Sequence, residues 1–478
     1  MARIDIDPAY AAAIGRETRR NEFVEQSTFW LYLAGLAWVP LWYGGNDLIA
    51  WGINAVLFPG LAALYEISLL IRGRRHPVGI RNIAVPSALF AAVVAWIAFQ
   101  TFTPVPASLV NPIWGMAGDA LGRPLAGSIS VNRDLTTLAL LRLVTAASAF
   151  WLALQLCRNG ARAGILLVSV AAIGCMYAAY GLVVLKTGQL PWLDIPSDGS
   201  RVTSTFVNHN SFATYAGIGL VAITGVVLNL YRHEVIAGAS WRMWLASFIE
   251  TTGQRGATLL GGGFVILVAL LFTGSRGGVI ATGLGLLALG VLAQRRGRNR
   301  DRRLLGSILF GAVLVAATVY AFGSIVLSNL DERGITDASR MSIYLLTLRS
   351  IFDAPVLGYG YGTFVDVFPM YRDKSISVEG VWGQAHDTYL EVFQGLGLVF
   401  GTLLIAAVVL LALRCARGSI RRRENAMVPA VAASAACLVG VHALVDFSLQ
   451  IQAVALTFMA LLGAGVAQSE SSRLVIED

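Results

Sequence analysis

Apolar runs of roughly twenty residues, parted by short polar or basic segments, recur along the whole chain. About twenty such residues are what one α-helix needs to cross a hydrocarbon core. Twelve runs are readable, at roughly 28–43, 48–71, 83–102, 136–156, 163–186, 211–231, 257–273, 277–294, 304–326, 385–413, 426–446 and 450–467. In lipid each span must satisfy its own backbone, and with runs of this length that means helices. The expected fold class is therefore all-α, a polytopic membrane protein of about twelve transmembrane helices. Charged residues make up only 13% of the chain, against about 25% in a soluble domain.

The 36 basic residues sort by side. With the N-terminus placed inside, 25 of them fall in inside segments, ten in outside segments, and Arg142 within a span. That is the positive-inside pattern, and the opposite topology fails it. Both termini are thus expected to be cytoplasmic, and the net charge of +8 is an orientation signal rather than a nucleic-acid surface. Charged residues crowd the first 27 positions with no cleavable apolar core, so the first span is expected to be an anchor rather than a signal peptide. The expected division is a cytoplasmic segment at 1–27, nine helices within 28–326, a large outside loop at 327–384, three helices within 385–467 and a cytoplasmic tail at 468–478.

The inside loops are short and basic, as topology and lipid headgroups require. Polar sequence collects outside, in 103–135, 187–210 and 327–384, and Trp42, Tyr43, Trp51, Trp192 and Trp382 fall near that boundary as an aromatic belt. Within the large loop, Met341, Tyr344, Leu345, Leu348, Ile351 and Phe352 recur at helical spacing, which predicts an amphipathic helix. Asp337 or Ser339 is placed to cap it, and Asp353, Ala354 and Pro355 to end it before a glycine-rich turn, LGYGYGTF.

The chemistry-bearing residues lie on the same side. His386 sits where the large loop meets the tenth span, at the positive end of a helix dipole, which favours the neutral imidazole a general base needs. His442 and Asp446 stand four apart near the outside end of the eleventh span, either a structural pair or support for the site. Arg276, in TGSRGGVIA, occupies an outside turn too short to be a loop, where an arginine is costly unless it has a partner, which points to a functional or anion-binding role or to snorkelling toward headgroup phosphates. Arg340 falls in the first turn of the loop helix, adding charge to free backbone amides, and Arg201 and His209 lie in the preceding outside segment. Metal chemistry has little support: the one Asp-x-Asp, Asp5 and Asp7, falls inside, and no His/Glu metal spacing, phosphate loop or serine elbow appears. The four cysteines, Cys157, Cys175, Cys415 and Cys437, suggest no disulfide framework.

The segments SRGG around Arg276, ASRMSIYLLTLRSIFDAPVLGYGYGTF with Arg340, and AHDTYLEVFQGLG with His386 resemble, in this order and topology, the O-antigen ligase and polymerase superfamily of bacterial membrane glycosyltransferases. The likeness covers roughly residues 200–465. It implies a GT-C-like helical fold in the bacterial inner membrane and transfer of a glycan from undecaprenyl diphosphate to an acceptor hydroxyl at the periplasmic face. The acceptor would be the lipid A core or another glycan, and no cofactor or metal is implied. Arg276, Arg340 and Arg201 would hold the diphosphate and His386 would take the acceptor proton, with Asp387, His209, His442 and Asp446 in support. Two departures stand out: Asp387 occupies a position where ligases commonly carry Asn, Ser or Gln, and Arg201 to Gly217 keeps an arginine–glycine spacing of some polymerases that Arg340 to Gly358 exceeds by two residues.

Polymerisation of lipid-linked repeat units is the alternative within that family. A transporter of lipid-linked oligosaccharide is the alternative of another class, and an anchor that only binds is a third. A transport path calls for polar groups along the spans, whereas Glu66 and Arg142 are the charged residues that stand out inside them.

Overall fold

In the computed structural model the described residues are 8–188, 200–234, 253, 256–294, 340–376, 380–422 and 425–470. Among them there is no strand. The helices are α1 (Pro8–Trp38), α2 (Leu48–Ile71), α3 (Ala84–Thr101), α4 (Ile113–Leu121), α5 (Arg133–Leu156), α6 (Gly160–Thr187), α7 (His209–Glu234), α8 (Ala257–Phe272) and α9 (Arg276–Gln294). They continue with α10 (340–353), α11 (Thr388–Arg421), α12 (Met427–His442) and α13 (Gln452–Ser469). Among the described residues eight helical segments are long and apolar enough to cross a membrane, and α8 and α12 are shorter apolar helices. The ninth expected span, 304–326, lies outside the described residues, as do Asp5, Asp7, Trp192, Asp337 and Ser339.

The interior is held by close backbone approach and by side-chain hydrogen bonds, the two devices that pack helices where lipid removes the hydrophobic drive between them. α13 is the central helix. A Cβ at Gly463 would press on the Phe150 carbonyl and stand 2.9 Å from the Ala153 Cβ, so glycine lets α13 lie directly on α5. Asn54 of α2 donates to Gln452 at 2.7 Å, Tyr32 of α1 to the Ala149 carbonyl at 2.9 Å, and Gln468 to the Cys157 carbonyl at 2.7 Å. The opposite surface is apolar: Val56 is 76% exposed and Leu70 79%. Soluble proteins rarely expose apolar patches on that scale, and a lipid-facing surface requires them.

α11 carries the feature that shapes the site. At Gly397 the backbone leaves the helix (φ 75°, ψ 169°), and the groups freed by the break find partners in the glycine-rich turn after α10. Tyr359 N donates to the Gln394 carbonyl and Gly360 N to the Gly395 carbonyl, both at 3.0 Å, and Leu398 N donates to the Pro355 carbonyl at 2.7 Å. Gln100 of α3 adds a bond to the Gly395 carbonyl at 2.8 Å. A broken helix is tolerated at membrane depth when protein satisfies its backbone in this way. Gly358, Gly360 and Gly362 all have positive φ, which is why the turn reads GYGYG.

Three boundaries and one face differ from the sequence reading. α1 ends at Trp38 rather than near 43. α11 begins after His386 and runs to Arg421, past the expected 413. α12 stops at His442, because the chain turns to aim Asp446 inward. In α10 the packed face is Ile343, Leu346, Thr347, Ser350 and Ile351, while Met341, Leu345, Leu348 and Phe352 are 40–65% exposed. Hydrophobicity alone misplaced that face, because Ser350 is satisfied in its buried position by accepting from Gln394 at 2.8 Å.

Candidate active site

The ends of α7, α9, α11, α12 and α13 meet at one pole of the bundle. His209 opens α7, and Arg276 opens α9 with three residues between it and the end of α8. Two helix N-termini thus turn their positive ends toward the same region. A cavity of about 330 Å³ there is lined by residues that include Tyr43, Asn46, His209, Arg340, His386 and Phe447.

His386 precedes α11 rather than lying in its first turn. Asp387 is the N-cap, its carboxylate accepting from Leu390 N at 3.0 Å. The helix dipole therefore acts first on Asp387, and the expectation that it bears directly on the imidazole is corrected. Asp, Asn and Ser all cap helices well, so Asp387 performs a task that Asn or Ser performs equally. Burial pushes the Asp387 carboxyl above its ordinary value, and the backbone amides it accepts from work against that rise.

The backbone of His386 is left-handed, with φ 57°. Such a conformation costs a non-glycine residue roughly 1–3 kcal/mol and persists only when the surroundings impose it. Here Tyr344 of α10 donates its hydroxyl to the His386 carbonyl at 3.0 Å, and Ala385 N donates to the Glu391 carboxylate at 2.6 Å. The ring lies edge-on to Phe447, centroids 5.1 Å apart, and to Trp382 at 6.4 Å.

Asp446 stands behind that ring, its Oδ1 3.9 Å from His386 Nδ1, which is ion-pair distance and too long for a hydrogen bond. Asp446 Oδ2 accepts from Ser448, and Thr214 donates to Ser448 at 2.8 Å and lies 2.5 Å from His442 Nδ1. Burial alone would raise the Asp446 carboxyl; the neighbouring His386, His442 and Ser448 outweigh it and hold it below its ordinary value. His442 and Asp446 were expected on one helical face. Instead α12 ends at His442 and the turn after it brings Asp446 beside His386.

The cationic residues divide. Arg340 lines the cavity with His386 and His209. Arg201 lies against His209, its guanidinium 3.2 Å from Nε2. Arg276 does not line the cavity; it opens α9 one residue before Gly277, where a Cβ would stand 3.1 Å from the His442 ring. Gly217 is the close-contact point between α7 and Thr282 of α9, a packing reason for a glycine at that spacing from Arg201. Among the described residues no group of three or more His, Cys, Asp and Glu side chains is disposed to hold a metal ion.

Residues 261–406, from within α8 to within α11, match the family model described as O-Antigen ligase. This domain match, over about a third of the chain, supports the O-antigen ligase superfamily. The match supports a membrane glycan ligase or polymerase type of function and an enzyme at that coarse level. No curated protein matches the chain. The matched stretch includes Arg276, Arg340 and His386, whereas Arg201, His209, His442 and Asp446 reach the same pole from outside it.

Sequence reasoning overlooked Glu391 and Gln450. Glu391 gave a usable signal, since a carboxylate inside an apolar span is costly and usually functional. Gln450, Thr214 and Ser448 gave none, because uncharged polar residues are common near span ends.

Proposed function

We propose that this chain transfers a glycan from undecaprenyl diphosphate to an acceptor hydroxyl at the periplasmic face of the inner membrane, without a metal, with His386 as the base. The observation that carries this reading is His386 and Arg340 on one cavity wall, with Asp446 3.9 Å behind the imidazole. His386 takes the acceptor proton, and the freed oxygen attacks the anomeric carbon from the face opposite the diphosphate, inverting it. The anomeric C–O bond breaks and the lipid diphosphate leaves. Asp446 stabilises the imidazolium that forms. Arg340 and Arg201, with Arg276 nearby, offset the charge growing on the leaving group, which is where fixed cations lower a barrier most.

The test uses purified protein in lipid nanodiscs with an undecaprenyl-diphosphate-linked glycan and two acceptors, lipid A core and a second lipid-linked repeat unit. His386→Ala is expected to cut kcat by about 10²–10⁴-fold, the usual contribution of a general base. Arg340→Ala is expected to cut it by about 10²–10³-fold. Full activity in both variants would refute the mechanism. The acceptor consumed distinguishes ligation from polymerisation, and movement of intact donor between leaflets without transfer would favour the transporter.

A further inference from the structure

A half-buried glutamate carboxyl stands next to the His386 turn and has no part in the chemistry above. Glu391 lies in the first turn and a half of α11, and both of its oxygens are engaged: one accepts from Ala385 N at 2.6 Å, the other from Gln450 Nε2 at 2.6 Å. The Gln450 carbonyl accepts from Arg142, whose guanidinium lies 4.3 Å over the Trp51 ring. Arg142 and Glu391 share the wall of a second cavity, of about 260 Å³, that is otherwise mostly apolar. Gln450 stands between them.

Helix capping does not account for this arrangement. A capping-box glutamate sits three residues after the N-cap and reaches back to the N-cap amide. With Asp387 as the N-cap, that position is Leu390. Glu391 is one residue later, and it reaches past the cap to Ala385, the residue before His386. Its bond therefore fixes the peptide that leads into the left-handed His386.

We propose that Glu391 is a positioning residue for His386: through the Ala385 amide it holds the left-handed turn that presents the imidazole to the cavity, and Arg142 and Gln450 hold Glu391 in place. Two acidic side chains thus bear on His386, Glu391 through the Ala385 amide and Asp446 beside its ring. The short segment from Asp446 to Gln450 joins the two supports. Without the Glu391 bond the turn keeps only the Tyr344 bond to the His386 carbonyl and loosens, and a base displaced by about an ångström can lose on the order of 10²-fold in rate. The inference rests on the reading of His386 as the base.

Glu391→Ala is the test, in the nanodisc assay above. It is expected to lower kcat 10- to 100-fold while KM for the lipid-linked donor stays within threefold. Glu391→Gln keeps an oxygen for the Ala385 amide, and the Gln450 amide can turn to match it, so most of kcat should return. A second readout is the ring ¹⁵N resonance of His386, assigned by its loss in His386→Ala. It should move in Glu391→Ala and return in Glu391→Gln, whether or not His386 proves to be the base, so the two readings fail separately. An unmoved resonance with kcat within twofold of the parent overturns the proposal. So does a glutamine variant as impaired as the alanine variant.

Discussion

Replacing Gly358 by alanine tests how the broken α11 is held. The added Cβ would press on the Gly395 carbonyl and lie 2.6 Å from Gly397 N, and both are backbone atoms that no rotamer change can move away. A left-handed non-glycine residue costs about 1–2 kcal/mol by itself, and Gly358 has φ +63°. Relief of the clash requires the turn to leave α11, which gives up the bonds from Tyr359 N, Gly360 N and Leu398 N. At about 1 kcal/mol each, the whole change is about 4–5 kcal/mol. Gly380→Ala is the control, since Gly380 has φ +82° and nothing within 4 Å of its Cβ; it should lose only the backbone preference, about 1–2 kcal/mol. Unfolding of both variants in mixed detergent micelles supplies the comparison. If the two lose stability within about 1 kcal/mol of each other, where the bonds lost with Gly358 should separate them by more, the glycine-rich turn is not what holds the break in α11.

The cap should tolerate chemistry of the same kind: Asp387→Asn is expected to keep transfer and stability, and Asp387→Ala to lose about 0.5–2 kcal/mol in the same unfolding measurement. Asp446 has its folded value depressed, so its charge stabilises the fold above the unfolded value of about 3.9, and that stabilisation disappears as pH falls through the lower folded value. The stability gap between the parent and Asp446→Asn should be constant from pH 7 to about pH 5 and should close below about pH 4; a gap that widens on acidification would reverse the sign. Gly463→Val should destabilise by more than about 2 kcal/mol through overpacking against α5 while leaving KM of the folded fraction unchanged, as thermal unfolding and kinetics of one preparation will show. Chelation with EDTA should leave the transfer rate within twofold; a loss restored by a divalent cation would contradict the arginine-based reading.

The helical class and most helix positions were legible because a membrane span is a local property. Twenty apolar residues must form a helix whatever surrounds them, and punctuation such as Asp47, Asn132 and Asn159 sits at helix starts as N-caps. His386, Arg340 and Arg276 stood out for a related reason, since a polar group beside lipid is conspicuous in sequence. What surrounds His386 was not legible. Its left-handed backbone is imposed by Tyr344 and Glu391, its ring is backed by Asp446 from a turn about sixty residues along the chain, and Arg201 reaches the same pole beside His209. These are long-range contacts, and a local reading of the sequence does not show which distant residues meet.

The sequence by itself therefore determined that this chain is a bundle of apolar helices with its candidate site residues near one end, since hydrophobic run length and charge placement are written residue by residue. Tertiary structure alone decided that α11 breaks at Gly397, that α10 packs through its serine and threonine face, and that His386 stands before its helix with Asp446 beside its ring and Glu391 on the preceding amide. Each of those outcomes depends on which distant backbone group or side chain satisfies a buried polar atom.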